Sequence, residues 1–167
     1  MSSEKVENSS TKACYEPFGV SGYAVAFRLT RSEPIDKEAI KEMSGKLMLR
    51  ITSRCIERGA KFIGHIKSYM KTKDGYLKAD TIGLDKGAYV ESSITEPVSQ
   101  AYLVINSIVQ GIDKSQVKIA TLEASNEVLL NYGFNIEIEK EHEYFDKFDI
   151  PVQPKGEGSK LKQEESK

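Results

Sequence analysis

His65, Lys67 and Asp80 are the residues whose types and spacing come nearest to chemistry in this chain of 167 residues. An imidazole that titrates near neutrality can carry a proton, and a neighbouring carboxylate or ammonium can orient it. A catalytic proton carrier also needs a cleft that tunes its pKa by desolvation, and an open sheet face offers little. The residues therefore favour a solvated cross-strand pair beside a surface histidine, with catalysis as the alternative. Metal chemistry has less to stand on. The other histidine, His142, lies between Glu141 and Glu143, but adjacent residues of a strand point to opposite sides, so no metal is expected. The two cysteines, Cys14 and Cys55, are distant and form no C-x-x-C pair, which argues against a disulfide framework or a redox motif. Gly19-Val20-Ser21-Gly22 precedes a strand rather than opening a helix, so it is no phosphate cradle and no cofactor is expected.

The candidate trio sits in residues 61–83, KFIGHIKSYMKTKDGYLKADTIG, which read as two strands folded back on each other. Phe62, Ile66 and Met70 are set against Ile63, His65, Lys67, Tyr69 and Lys71. A two-residue turn at Asp74-Gly75 would place Lys71 opposite Lys78, like charges face to face. A four-residue turn over 72–75 instead pairs Met70 with Leu77 on the core face. It sets Lys67 opposite Asp80 and Tyr69 opposite Lys78 on the other face, and is preferred. Lys61, His65, Lys67, Tyr69, Lys71, Tyr76 and Lys78 then form a binding face of interleaved lysine and tyrosine, the mixture that also holds single-stranded nucleic acid. The first strand adds the small residues Ala24 and Ala26 to that face, which suits a flat contact with another protein better than a stacking platform.

The elements around this hairpin follow from periodicity. Tyr23, Val25, Phe27 and Leu29 alternate with smaller or polar residues, predicting a strand over 23–31. A helix is predicted over 37–58, capped by Asp36, with a core stripe of Ile40, Met43, Leu47, Ile51 and Cys55 and a stop at Gly59. Gly45, Leu49, Thr52 and Ile56 line up on its far side. Leu49, Thr52 and Ile56 are accordingly candidates for an oligomer interface. Residues 88–92 read as a short strand. A second helix is predicted from Pro97 to about 112, on the spacing of Val98, Ala101, Tyr102, Ile105, Ile108 and Val109. A strand over 116–122, a short helix over 125–132 capped by Ser125, and a strand at Phe134, Ile136 and Ile138 complete the order. The acidic-aromatic run after residue 138 is expected to pack loosely. Strand–helix–strand, strand–helix–strand is the split βαβ pattern, so the expected fold is α+β and ferredoxin-like: an antiparallel sheet with two helices on one face and a short C-terminal helix-strand extension.

Residues 13–150 are expected to form one domain, with disordered tails at 1–12 and 151–167. The formal net charge is −1, so no global basic field points to nucleic acid. The charge is segregated, however: residues 46–86 carry a net +6 and residues 137–149 a net −4. No signal peptide or membrane-spanning run is evident, and a reducing cytoplasmic setting is expected. Functionally, the residues point first to a non-enzymatic protein-interaction or accessory domain that self-associates through the open sheet face or the far side of the first helix. Second comes a small enzyme or ligand-binding domain using His65, Lys67 and Asp80 in an inter-subunit cleft. Third comes single-stranded nucleic-acid binding on the basic face.

Overall fold

The structure, a computed structural model, describes residues 18–148. Cys14 and both expected tails lie outside them. The chain runs through β1 (Phe18–Ile35), α1 (Lys37–Glu57), β2 (Phe62–Lys71), β3 (Tyr76–Thr81), a single 3-10 turn (Leu84–Lys86) and β4 (Tyr89–Ser92). It continues through β5 (Val98–Gln110), α2 (Lys114–Asn131) and β6 (Asn135–Phe148). The strands make one six-stranded antiparallel sheet in the order β4-β3-β2-β5-β1-β6. α1 joins β1 to β2, with β5 between them, and α2 joins β5 to β6, with β1 between them. Both helices cover the same side of the sheet and pack on each other, so the fold is α+β in two layers with one sheet face left open.

Several elements form as their sequence dictates. In β1, Tyr23, Val25, Phe27 and Leu29 turn inward and are buried, whereas Arg28 and Thr30 turn outward. Asp36 caps α1, its carboxylate accepting the Glu38 N–H at 2.9 Å. Ile40, Met43, Leu47, Ile51 and Cys55 are buried along the predicted stripe. Gly59, at φ +101°, ends the helix in the left-handed region that favours glycine. The hairpin adopts the four-residue turn, closed by the Thr72 N–H donating to the Gly75 carbonyl at 2.9 Å. Met70 stands opposite Leu77, Tyr69 opposite Lys78 and Lys67 opposite Asp80. One detail of β2 differs: Ile63 is buried and Phe62 exposed, because a bulge between Ile63 and His65 shifts the alternation.

The C-terminal half departs from expectation. Residues 98–110 form β5 rather than the second helix, and β5 is central to the sheet. Ala101, Leu103, Ile105, Ser107 and Val109 are buried toward the helices, while Tyr102, Val104, Asn106 and Ile108 are half-buried on the open face. A central strand with apolar residues on both faces has no clean period, and its β-branched residues decide for extended backbone. The predicted strand at 116–122 and short helix at 125–132 are one helix, α2, capped by Asp113 rather than Ser125. Val117, Ala120, Thr121, Ala124, Val128 and Leu129 line its inner face, and Ser125 is buried within it. The expected C-terminal extension is therefore no appendage. α2 is the second covering helix, and β6 pairs with β1 from Thr30↔Asn135 to Phe18↔Phe148 instead of packing loosely. Among the described residues, no helix is long and apolar enough to cross a membrane.

Candidate functional site

The open face gathers nearly all the polar groups singled out above. Register sets its rows. Lys71 lies between Tyr76 and Tyr102, and Tyr69 between Lys78 and Val104. Lys67 lies between Asp80 and Asn106, and His65 is level with Ile108. Across β5, Val104 faces Ala26, Asn106 faces Ala24 and Ile108 faces Gly22. Beyond β1, Ala26 faces Lys140, Ala24 faces His142 and Gly22 faces Tyr144. His65, Lys67, Tyr69, Lys71, Tyr76, Lys78 and Asp80 are thus brought together, whereas Lys61 precedes β2 and anchors its start by donating its N–H to the Gln110 carbonyl at 2.8 Å.

Within the proposed trio, Asp80 lies closest to the histidine. Its Oδ1 is 3.8 Å from His65 Nε2, with both side chains more than a third exposed. Lys67 has no acidic partner within ion-pair distance among the described residues, although it stands opposite Asp80. His65 is not a wall of any concavity named below, so the pair has the geometry of a solvated contact, where Coulomb attraction is weak. The second histidine is equally set apart from its acidic neighbours. Glu141 and Glu143 turn to the helix side and bind Lys118 at 3.1 and 3.4 Å, while His142 stacks on Tyr144 at 5.8 Å on the open face. No group of three metal-ligating side chains converges among the described residues.

Two shallow concavities flank Val104. One, of about 280 Å³, is walled by Lys67, Tyr69, Lys78, Asp80, Val104 and Asn106. The other, of about 350 Å³, is walled by Ala24, Ala26, Tyr102, Val104, Lys140 and His142. The tyrosines around the first are held in place: Tyr69 and Tyr76 stack at 6.0 Å, Lys78 lies 5.1 Å from the Tyr76 ring, and the Tyr76 hydroxyl donates to Glu91 at 2.9 Å. That last bond raises the Tyr76 pKa above the ordinary phenol range.

The charge pattern differs between the two sides of the molecule. On the helix layer most cations are matched, among them Arg50 and Arg54 to Glu127, Arg58 to Glu123, and Lys118 to Glu141 and Glu143. On the open face Arg28 pairs with Glu139, but Lys67, Lys71, Lys78 and Lys140 have no ion-pair partner among the described residues.

The far-side stripe of α1 does not form a common surface. Thr52 is fully buried and donates its hydroxyl to the Met48 carbonyl at 2.9 Å. Leu49 is half-buried, Ile56 is exposed, and a Cβ on Gly45 would lie 3.5 Å from Val90. The β3–β4 wing had covered the side that periodicity left bare. Conversely, Tyr89, Tyr102, Val104, Asn106, Ile108, Lys140, His142 and Tyr144 belong to the open face and were missed. The alternation of Tyr102, Val104, Asn106 and Ile108 was the available signal, masked by the helical spacing of the same residues. Comparison with family models, with curated proteins and with solved structures found no match to this chain.

Proposed function

We propose that this chain is a non-enzymatic protein-interaction domain that associates with a second copy of itself through the open face of its sheet. The observation that carries this reading is the make-up of the two strands at the middle of that face. β1 presents Ala24 and Ala26, and β5 presents Val104 and Ile108, an apolar floor with Tyr69, Tyr102, Tyr144 and the lysines around it. An apolar centre inside a tyrosine-bearing polar rim is the anatomy of a protein interface. Val104, standing between two concavities, is also a self-complementary shape, since a ridge beside a trough fits the same pair inverted.

Size and edges agree with this choice. At about 4.8 Å between strands and about 3.3 Å per residue, the six strands span roughly 1,000 Å² of face per copy, enough for the ~800 Å² per partner of a standard interface. The sheet edges are poorer candidates. β4 has only 4 residues. β6 carries Glu137, Glu139, Glu141 and Glu143 and a bulge opposite Ala26/Phe27, so pairing with its own copy would oppose like charges. The open face also mixes Glu91, Glu137 and Asp80 with its lysines, which ranks single-stranded nucleic acid below protein. In the finer reading of the fold, β6-β1-β5-β2 with α1 and α2 is a ferredoxin-like split βαβ core, extended at one edge by the β3–β4 hairpin. A reducing, cytoplasmic compartment suits Cys55, a buried free thiol.

The second reading is an enzyme or ligand-binding role for His65, Lys67 and Asp80 in a cleft that the second copy closes. It draws on the 3.8 Å approach of His65 and Asp80. Size-exclusion chromatography with light scattering tests the first reading. Twice the protomer mass, falling to the protomer mass on dilution, is expected; a monomer at every protein and salt concentration would sink it.

A further inference from the structure

We infer that the concavity between β3, β2 and β5 is a binding site for a small flat ring that carries one anionic group. Its volume, about 280 Å³, is just under that of ordinary small-molecule pockets and accommodates a single ring with its substituent. It lies over the backbone of Ser68, between the row that holds Tyr69 and the row that holds Lys67. The stack with Tyr76 draws the Tyr69 ring toward the far side of its row, which leaves the gap open. Val104 and the Tyr69 ring supply apolar walls against which a flat ring loses water.

The polar groups around this gap are mostly donors. Lys67 and Lys78 both wall it, and neither has an ion-pair partner among the described residues, unlike the matched cations of the helix layer. Asn106 is oriented from the opposite side: its side-chain oxygen accepts the Tyr144 hydroxyl at 3.0 Å, which leaves the amide NH₂ as a further donor on the wall. The one acceptor, Asp80, has His65 beside it at 3.8 Å. Two lysines, Lys78 with its ammonium 5.1 Å from the Tyr76 ring, and the Asn106 amide stand around one carboxylate, a balance of charge that favours an anion. The apolar walls favour that anion on a ring rather than free in water. Carboxylate and phosphate share this chemistry, so both are tested. All the walls come from one protomer, so the site is complete in the monomer, and a ring bound there competes with the second copy for the same face.

The test is a two-dimensional NMR titration of labelled protein with benzoate and phenyl phosphate, beside inorganic phosphate and benzylamine. Saturable shifts of the Val104 methyls and the Asn106 side-chain amide are expected with benzoate or phenyl phosphate, the stronger of the two identifying the anionic group. Inorganic phosphate is expected to bind more weakly, and benzylamine not at all. Lys67→Ala and Lys78→Ala should each weaken binding by about fivefold, the scale of a half-exposed charged contact, whereas Lys71→Ala on the same face should not. Shifts that fail to saturate, equal binding of benzylamine, or an equal effect of Lys71→Ala would overturn the site. Light scattering on the ligand-free protein reports separately on self-association, so either idea can fail alone.

Discussion

The Tyr144 phenol lies across Gly22 and donates to the Asn106 side-chain oxygen at 3.0 Å, tying β6 to β5 over the backbone of β1. A Cβ at residue 22 would sit 2.0 Å from the ring carbon that bears the hydroxyl, so a side chain there must displace the ring. Tyr144→Phe is expected to cost about 1 kcal/mol, and Gly22→Ala about 1–2 kcal/mol. The double variant should cost less than the sum, because a ring already displaced no longer makes the bond. Urea unfolding of the four proteins measures this. Additive costs would show that the two residues are not coupled.

Tyr23 and Glu141 clamp the helix side of the same strand. The Tyr23 hydroxyl donates to Glu141 at 2.7 Å, and Lys118 binds the other oxygen at 3.1 Å. The hydrogen bond from Tyr23, then Lys118, hold the Glu141 carboxyl below its ordinary range, while burial, then Glu141, push the Tyr23 phenol above its own. The signs follow. The Glu141 contribution is present above the unfolded pKa of about 4.3 and is lost as pH falls through the lowered value. The Tyr23 contribution is present below about pH 10 and is lost as pH rises beyond it. Tyr23→Phe should cost about 1–2 kcal/mol near neutrality and flatten both ends of the stability–pH curve. A curve merely lowered, with its shape unchanged, would refute the clamp.

Asp74 ties the β2–β3 turn to the loop before β5. Its carboxylate accepts the N–H groups of Thr95 and Glu96, both at 2.9 Å, and the Thr95 hydroxyl at 2.8 Å. These bonds, that from the Thr95 N–H first, hold its carboxyl down to about 2. Its stabilisation is therefore present above the unfolded pKa of about 3.9 and is lost as pH falls toward 2. Asp74→Ala should lower the urea midpoint at pH 7 and make stability decline less steeply between pH 4 and pH 2. Parallel acid profiles for the two proteins would count against this role.

Cys55 is fully buried, and burial pushes its thiol up to about 12, which leaves almost no thiolate at neutral pH. In a Cys14→Ser variant, a disulfide reagent should label Cys55 only as the protein opens, with a rate that rises alongside denaturant. Fast labelling of the native protein, independent of denaturant, would show that α1 does not shield it.

Ala26 is 6% exposed on the open face, directly across from Val104. Ala26→Glu should abolish self-association while the fold, followed by circular dichroism, is kept. Ile56→Glu, at an exposed position of α1, should leave the oligomer intact. The reverse pattern would move the interface to the helix.

The sequence alone determined what local geometry and pairwise charge can decide. Asp36 and Gly59 bracket α1 because caps act within a turn of the helix end. Repulsion between Lys71 and Lys78 selected the turn that sets Lys67 opposite Asp80. Tertiary structure decided the rest. Residues 98–110 have apolar residues at both helical and strand spacing, and only a place between β1 and β2 made them a strand. With β5 went half of the open face, Tyr102, Val104, Asn106 and Ile108. The acidic run of β6 has no core pattern of its own. Arg28 on one side and Tyr23 and Lys118 on the other, all distant in sequence, hold it in the sheet. His65, Lys67 and Asp80 kept their shared face beside Ala24 and Ala26, but the apolar floor was completed by β5, a strand that periodicity had not joined to it.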